Sequence, residues 1–281
     1  MNNKKMKEEY FQILKSLIKI PSPSGQEEEL ANIVENYCKN GWTKQRDNEH
    51  NILFCPGDSD KSVKLPLLYA HLDTHPNGKP TNHLLDSDNI ISLDENGQIT
   101  KGERIQMGFD DKAGVAAILY LMHHTKLKFR ALFVAQEEKS DLPKKYERNG
   151  GGGIEYAINH DLGWVFEESA YVLSLDRRNG NEVIAAYGDN DTRDRIPLCT
   201  PEFAQWIISC SEVASYPMAE AHSDNVADVY NIRQAYPNLN CVNLSIGYYD
   251  EHKCKESLKI DETLGVIKVL KECLPPKLPN P

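Results

Sequence analysis

Apolar positions in the first twenty residues recur at helical spacing: Phe11, Leu14, Leu17 and Ile18 share a face, with lysines between them. This predicts a first helix ending near Ile20, where "PSPSG" supplies two prolines and a glycine. Ser24 is the expected N-cap of a second helix, "GQEEELANIVENYCKN". Acidic residues fill the first turn of that helix, and Gly41 follows its end.

The period then changes. "NILFCPG" and "KLPLLYAHLD" read as strands, the second nearly continuous in apolar residues, as strands buried on both faces are. "DKAGVAAILYLMHH" predicts a helix, "FRALFVAQEE" a strand, "GGIEYAINHD" a helix and "AYVLSLD" a strand. "PEFAQWIISC" is helical, "CVNLSIG" a strand and "DETLGVIKVLKECL" a closing helix. Alternating strands and helices imply an α/β fold: a single three-layer αβα domain with a mainly parallel mixed sheet, over residues 1–274. The proline-rich end, 275–281, is expected to fray.

Composition narrows the function. The chain of 281 residues has 26% charged residues and a formal net charge of −10, which disfavours nucleic acid and membrane surfaces as partners. The N-terminus lacks the continuous apolar core of an export signal, and no run is long enough to cross a bilayer. Seven cysteines without CxxC spacing favour reduced thiols. A cytoplasmic protein, monomeric or weakly homo-oligomeric, is the expectation.

Ligands in open α/β sheets gather beyond the carboxyl ends of the strands. "LLYA" is followed there by His71, Leu72 and Asp73, and "RIQM" leads to Asp110 and Asp111. "ALFVAQ" ends in Glu137 and Glu138, "YVLSL" in Asp176, and "CVNLSIG" leads through "YYDE" to His252. Singly, each has a plain alternative: a hydrogen-bonded histidine, a solvated helix start or a cap. Together they form a donor set without thiolate that suits zinc, manganese or cobalt, with carboxylates enough for two ions. A water between two such ions would lose a proton near neutral pH and attack a carbonyl. One carboxylate must then stay off the metals to carry that proton to the leaving amine.

The segments "IPSPSGQEEE", "YAHLDTHP", "GFDDKAGVAA", "FVAQEE", "LSLD" and "GYYDEHKCKE" span most of the chain. In this order they resemble the co-catalytic dizinc exopeptidases, which include peptidase T, carboxypeptidase G, aminoacylase and bacterial leucyl aminopeptidases. The resemblance implies that His71 and Asp176 bind a first metal, that Glu138 and His252 bind a second, and that Asp110 bridges them. It implies two divalent ions, zinc first, with cobalt or manganese as alternatives. Asp73 would hydrogen-bond the far nitrogen of His71, and Glu137 would be the general base and later acid. Asp111 would shape the turn, across a cis Asp110–Asp111 bond.

The chain also departs from that pattern. Many relatives insert a second domain of about a hundred residues. Only about 45 residues separate Asp176 from His222 here, and the interval from Asp73 to Asp110 is also short. A bare catalytic domain is therefore expected. The segment "KSDLPKKYERNGGGGIEYA" is longer than the usual glycine turn; Gly150 to Gly153 form either a linker or a mobile loop over substrate. His222, beside Ser223 and Asp224, is either near the site or next to a helix cap. Arg177 and Arg178 either hold a substrate carboxylate or sit in a solvated turn. His75, His83, His123, His124 and His160 are expected at the surface, and Cys254 is expected to be a buried structural thiol.

The function implied is metal-dependent hydrolysis of peptide or acyl-amino-acid amide bonds by an exopeptidase. An aminopeptidase is favoured over a carboxypeptidase, dipeptidase or N-acyl amino acid deacylase, because one-domain relatives are mostly aminopeptidases. A single-zinc acyl transferase of the glutaminyl cyclase type is a second possibility. A non-catalytic binding module is disfavoured, since it has no need of Glu137.

Overall fold

The computed structural model describes residues 3–37, 41–57, 63–75, 98–100, 107–138, 152–188, 195–223, 227–253 and 255–274. In chain order the first elements are α1 (Asn3–Ile18), α2 (Glu28–Asn36), β1 (Trp42–Arg46), β2 (Ile52–Pro56), β3 (Leu65–His71) and β4 (Gln98–Thr100). Then come α3 (Phe109–His124), β5 (Arg130–Val134), α4 (Gly153–Asn159), α5 (Trp164–Glu167), β6 (Ser169–Arg177), β7 (Glu182–Tyr187) and β8 (Ile196–Pro197). The last are α6 (Pro201–Val213), β9 (Ala219–Ser223), α7 (Asp228–Ala235), β10 (Cys241–Ser245), β11 (Tyr248–Tyr249), β12 (Ser257–Lys259) and α8 (Ile260–Cys273).

The main sheet runs β1-β2-β5-β3-β6-β10-β7-β8, with β9 also paired to β7. Its centre, β5-β3-β6-β10, is parallel, while β1, β2 and β7 join antiparallel. A small second sheet, β11-β12-β4, stands beside it. Strand alternation splits the core in two. Leu68, Ala70, Phe133, Leu173 and Leu244 face α1, α2, α3, α6 and α8, whereas Leu67, Tyr69, Leu132, Val172 and Cys241 face α4, α5 and α7. This is the expected αβα sandwich, and β3 is buried along its whole length.

Some local expectations fail for identifiable reasons. Ser24 does not cap α2, which starts at Glu28 without a side-chain cap. The segment before it pairs with the loop after β3 instead, through Thr74 N to Ser22 O (2.8 Å) and Ser24 N to Thr74 O (3.3 Å). The Ser24 hydroxyl is thereby turned onto Asp73 Oδ2 at 2.5 Å. The strand β1, "WTKQR", is mostly exposed and lies at the sheet edge, where alternation is not enforced by burial. In "RIQM", residues 104–106 lie outside the described residues, and Met107 with Gly108 leads straight into α3.

Candidate metal and active site

The parallel centre delivers its side chains to one edge. β3 ends on His71, β6 carries Asp176, and β5 continues through Gln136 to Glu137 and Glu138. α3 brings Asp110 in its first turn. His252 arrives after β11 on a turn in which both Asp250 and His252 have left-handed backbone (φ 54° and 61°).

Asp110 stands between two groups. Its Oδ1 is 3.1 Å from His71 Nε2, and its Oδ2 is 3.1 Å from His252 Nε2. Asp176 Oδ1 lies 3.6 Å from His71 Nε2, and Glu138 Oε1 lies 2.5 Å from His252 Nε2. Ligand atoms of His71, Asp110 and Asp176 all fall within 4.8 Å of one another, as do those of His71, Glu137 and Glu138. Glu138 is buried whereas Glu137 is partly exposed, so the adjacent carboxylates diverge as consecutive residues must.

A further layer holds these groups. Asp73 accepts the backbone N–H of Glu137 on Oδ1 and that of Glu138 on Oδ2, both at 2.9 Å. Its expected contact with His71 is made differently: Nδ1 meets the Asp73 backbone oxygen at 3.0 Å, while the carboxylate is 3.5 Å away. The Asp110–Asp111 bond is cis, and Asp111 accepts from His71 N (3.2 Å) and Gly114 N (3.1 Å). Glu256 accepts from Gly108 N (2.6 Å) and Asp110 N (3.0 Å). Tyr248 donates to Asp176 Oδ1 at 3.2 Å, and Asn243 bonds the Asp176 backbone in both directions. Glu256, Tyr248 and Asn243 were not singled out from the sequence. Tyr248 and Glu256 both lie within "GYYDEHKCKE", where nothing local marks either as a support.

Burial and mutual repulsion dominate the electrostatics. Although Glu137 as a whole is partly exposed, desolvation of its carboxyl group, with the Asp176 charge, raises it well above the usual carboxylate range. Burial also lifts Glu138 to about 7, with Asp110 adding to it and His252 opposing. Asp176 is raised by burial, whereas Asp110 is lowered, because its bonds to His252 and His71 overcome its burial. Burial works against protonation of His252, yet Asp110 and Glu138 hold it up to about 10; His71 is raised likewise by Asp110, Asp176 and Asp73. Carboxylates crowded this closely under low dielectric call for compensating cations. The donor types, imidazole and carboxylate without thiolate, fit borderline or hard divalent ions.

The remaining candidates fall elsewhere. His75, expected at the surface, is buried and stacks on His252, with ring centroids 4.2 Å apart and planes at 17°. Its ligand atom lies within 4.8 Å of those of Glu138 and His252. The covering ring comes from the far end of the chain, so no local pattern around His75 anticipates its burial. His222 contacts Arg195 at 3.3 Å, Arg177 pairs with Glu182 at 3.2 Å, and Arg178 with Glu251 at 2.9 Å. His123 is half-buried, and His124 and His160 are exposed. His83, Cys254, Asp224, Gly150 and Gly151 lie outside the described residues. Gly153 is no linker: a Cβ there would stand 2.0 Å from Ala135 O and 2.6 Å from Asn51 Oδ1. The five described cysteines form no disulfide, and no described helix is long and apolar enough to cross a membrane.

No protein-family profile and no curated protein matches the chain by sequence. Solved structures do match. Aminopeptidase PepT from Bacillus cereus superposes with a TM-score of 0.72 at 12% identity, covering 95% of this chain and 98% of that one. An aminopeptidase from the archaeon Desulfurococcus kamchatkensis gives 0.70 at 14%, covering 95% of each chain. The TET1 peptidase of Pyrococcus horikoshii gives 0.65 at 14%, covering 94% and 99%. At these identities the likeness is one of fold. This chain has the fold of those peptidases over nearly its whole length.

Proposed function

We propose that this protein is a metal-dependent exopeptidase, aminopeptidase-like, acting through two divalent ions, zinc in the first instance. Asp110 carries the reading: its two oxygens face different imidazoles, each at 3.1 Å, the disposition of a carboxylate shared between two ions. His71 and Asp176 would hold one ion, and Glu138 and His252 the other. Divalent ions held there would supply Lewis acidity toward a substrate carbonyl and would lower the pKa of a bound water.

The chain's own residues do the rest. Glu137, whose carboxylate lies near the ligand atoms of His71 and Glu138, would accept a proton and return it to the leaving amine. Asp73 fixes the backbone from which Glu137 and Glu138 diverge. Residues 1–274 would form the catalytic unit. The preference for a free amino terminus draws on the fold neighbours described as aminopeptidases.

Metal content and a substrate panel test this together. Metal-stripped protein should take up two zinc ions per chain, then release the first residue of unblocked peptides but not of N-acylated ones. Saturation at one ion would overturn the bridge. Hydrolysis confined to N-acylated substrates would overturn the aminopeptidase assignment.

A further inference from the structure

We propose that His75 is a positioning residue for the second ion: its imidazole braces the ring of His252 by stacking and does not itself bind metal. The proposal rests on the two-ion reading above. His252 is the least anchored of the predicted ligands. It comes two residues after the left-handed Asp250, is left-handed itself, and leaves about a third of its side chain exposed (36%). His71 and Asp176, by contrast, lie within strands, and Asp110 in the first turn of a helix.

His75 comes from a well-tied segment. Thr74 N donates to Ser22 O, Ser24 N donates to Thr74 O, and Leu72 N donates to Val134 O at 2.7 Å. The ring of His75 is therefore set by the end of the central sheet, and it is 7% exposed. Laid flat on His252, it closes one face of that ring and leaves the edge bearing Nε2 to Asp110 and Glu138. Stacking of two near-parallel rings is an aromatic attraction that adds to the burial of their faces.

The same geometry separates bracing from ligation. An imidazole binds an ion through a lone pair in its own plane. Two rings 4.2 Å apart with planes only 17° from parallel direct those lone pairs past one another. The nitrogens are close enough for a shared ion, but the rings could converge on one only if His75 left the stack. A flat ring at position 75 should therefore suffice, whatever its nitrogens do.

Calorimetric titration of zinc into the metal-stripped full chain tests this with three variants. Wild type should bind two ions. His75→Ala and His75→Gln should weaken one binding step by about tenfold and leave the other unchanged, the scale on which supporting groups tune metal sites. His75→Phe should stay within about twofold of wild type at both steps. A phenylalanine variant as weak as the glutamine one would show that an imidazole nitrogen is required and overturn the proposal. So would an alanine variant with unchanged affinity. If stripped His75→Ala melts far below stripped wild type, the comparison of Phe with Gln decides. A wild type that takes fewer than two ions refutes the two-ion reading before any variant is compared, and this proposal falls with it.

Discussion

Glu256 holds the backbone amide of Asp110 at 3.0 Å across 146 residues of sequence, while its second oxygen takes the amide of Gly108 at 2.6 Å. The carboxylate therefore fixes the start of α3, and with it the direction of the Asp110 side chain. Glu256→Gln keeps the volume but offers one acceptor oxygen and one NH2 group to two N–H donors. It should lower zinc affinity by about 10- to 100-fold, the usual cost of losing a supporting group. Glu256→Ala leaves both amides unpaired and should also destabilise the fold, by about 1–3 kcal/mol for each buried donor. Zinc titration and thermal melting separate these effects; unchanged zinc affinity in Glu256→Gln would show that Asp110 is aimed by something else.

Glu137→Gln makes a cleaner cut. The amide preserves shape and the backbone bond to Asp73, so both ions should remain bound. It cannot carry a proton, and turnover should fall by about 10²- to 10⁴-fold with little change in substrate binding. Metal analysis and kinetics on the same preparation check this. Retained turnover removes Glu137 from the mechanism.

Asp73 should behave differently from Glu137, because it acts through the backbone. Its two oxygens take the N–H groups of Glu137 and Glu138, and Ser24 donates to it as well. Asp73→Asn turns an NH2 toward one of these donors, so both metal affinity and turnover should fall, each by about tenfold or more. Ser24→Ala removes only a hydrogen bond to a charged acceptor, worth about 1.5–3 kcal/mol, and should cost stability before activity. Equal effects of the two variants on metal binding would contradict this ranking.

How much of this was legible in the sequence depends on the range of the interaction. The parallel strands announce themselves because burial on both faces forces apolar runs such as "KLPLLYAHLD". The residues now clustered at the strand ends were likewise readable, since topology places strand ends together. The supports were not. Glu256, Tyr248 and Asn243 act through contacts set by tertiary packing, and nothing local distinguishes them from solvated side chains. His75 looked like a surface histidine for the same reason: its burial depends on a turn closing over it from near position 252. Ser24 resembled a helix cap because capping and strand-end bonding draw on the same side-chain chemistry.

Gly114 lies against the Asp111 carboxylate, and a Cβ there would stand 2.4 Å from Oδ1 and 2.7 Å from Oδ2. Gly114→Ala therefore displaces the group that accepts the His71 amide, although alanine is the better helix former. The overpacking should cost about 1–3 kcal/mol and shift the His71 side of the site. Ala116→Gly, elsewhere on α3, is the control; it should cost about 1 kcal/mol of helix propensity and about 0.8 kcal/mol for the lost buried methyl while leaving zinc affinity intact. Calorimetric melting with zinc titration compares the two. A stabilised Gly114→Ala would mean that Asp111 is free to move.

Chelation should destabilise the protein, and increasingly so as pH rises. Burial raises Glu138 from its usual range to about 7, and Asp110 and Glu138 hold His252 up to about 10 against its burial. Both groups bind protons more tightly folded than unfolded. Their protonated forms contribute stability that is complete below the unfolded values and is lost as pH climbs through the folded ones. Stripped protein should therefore weaken between about pH 5 and pH 9. In loaded protein, cations replace those protons, and their hold tightens as the ligands deprotonate. At about a hundredfold excess over the dissociation constant a bound ion contributes about 2.7 kcal/mol. Melting temperatures measured with zinc and with chelator should thus diverge from pH 5.5 to pH 8.5. A gap that stays constant or narrows over that range would show that these carboxylates and imidazoles do not hold the ions.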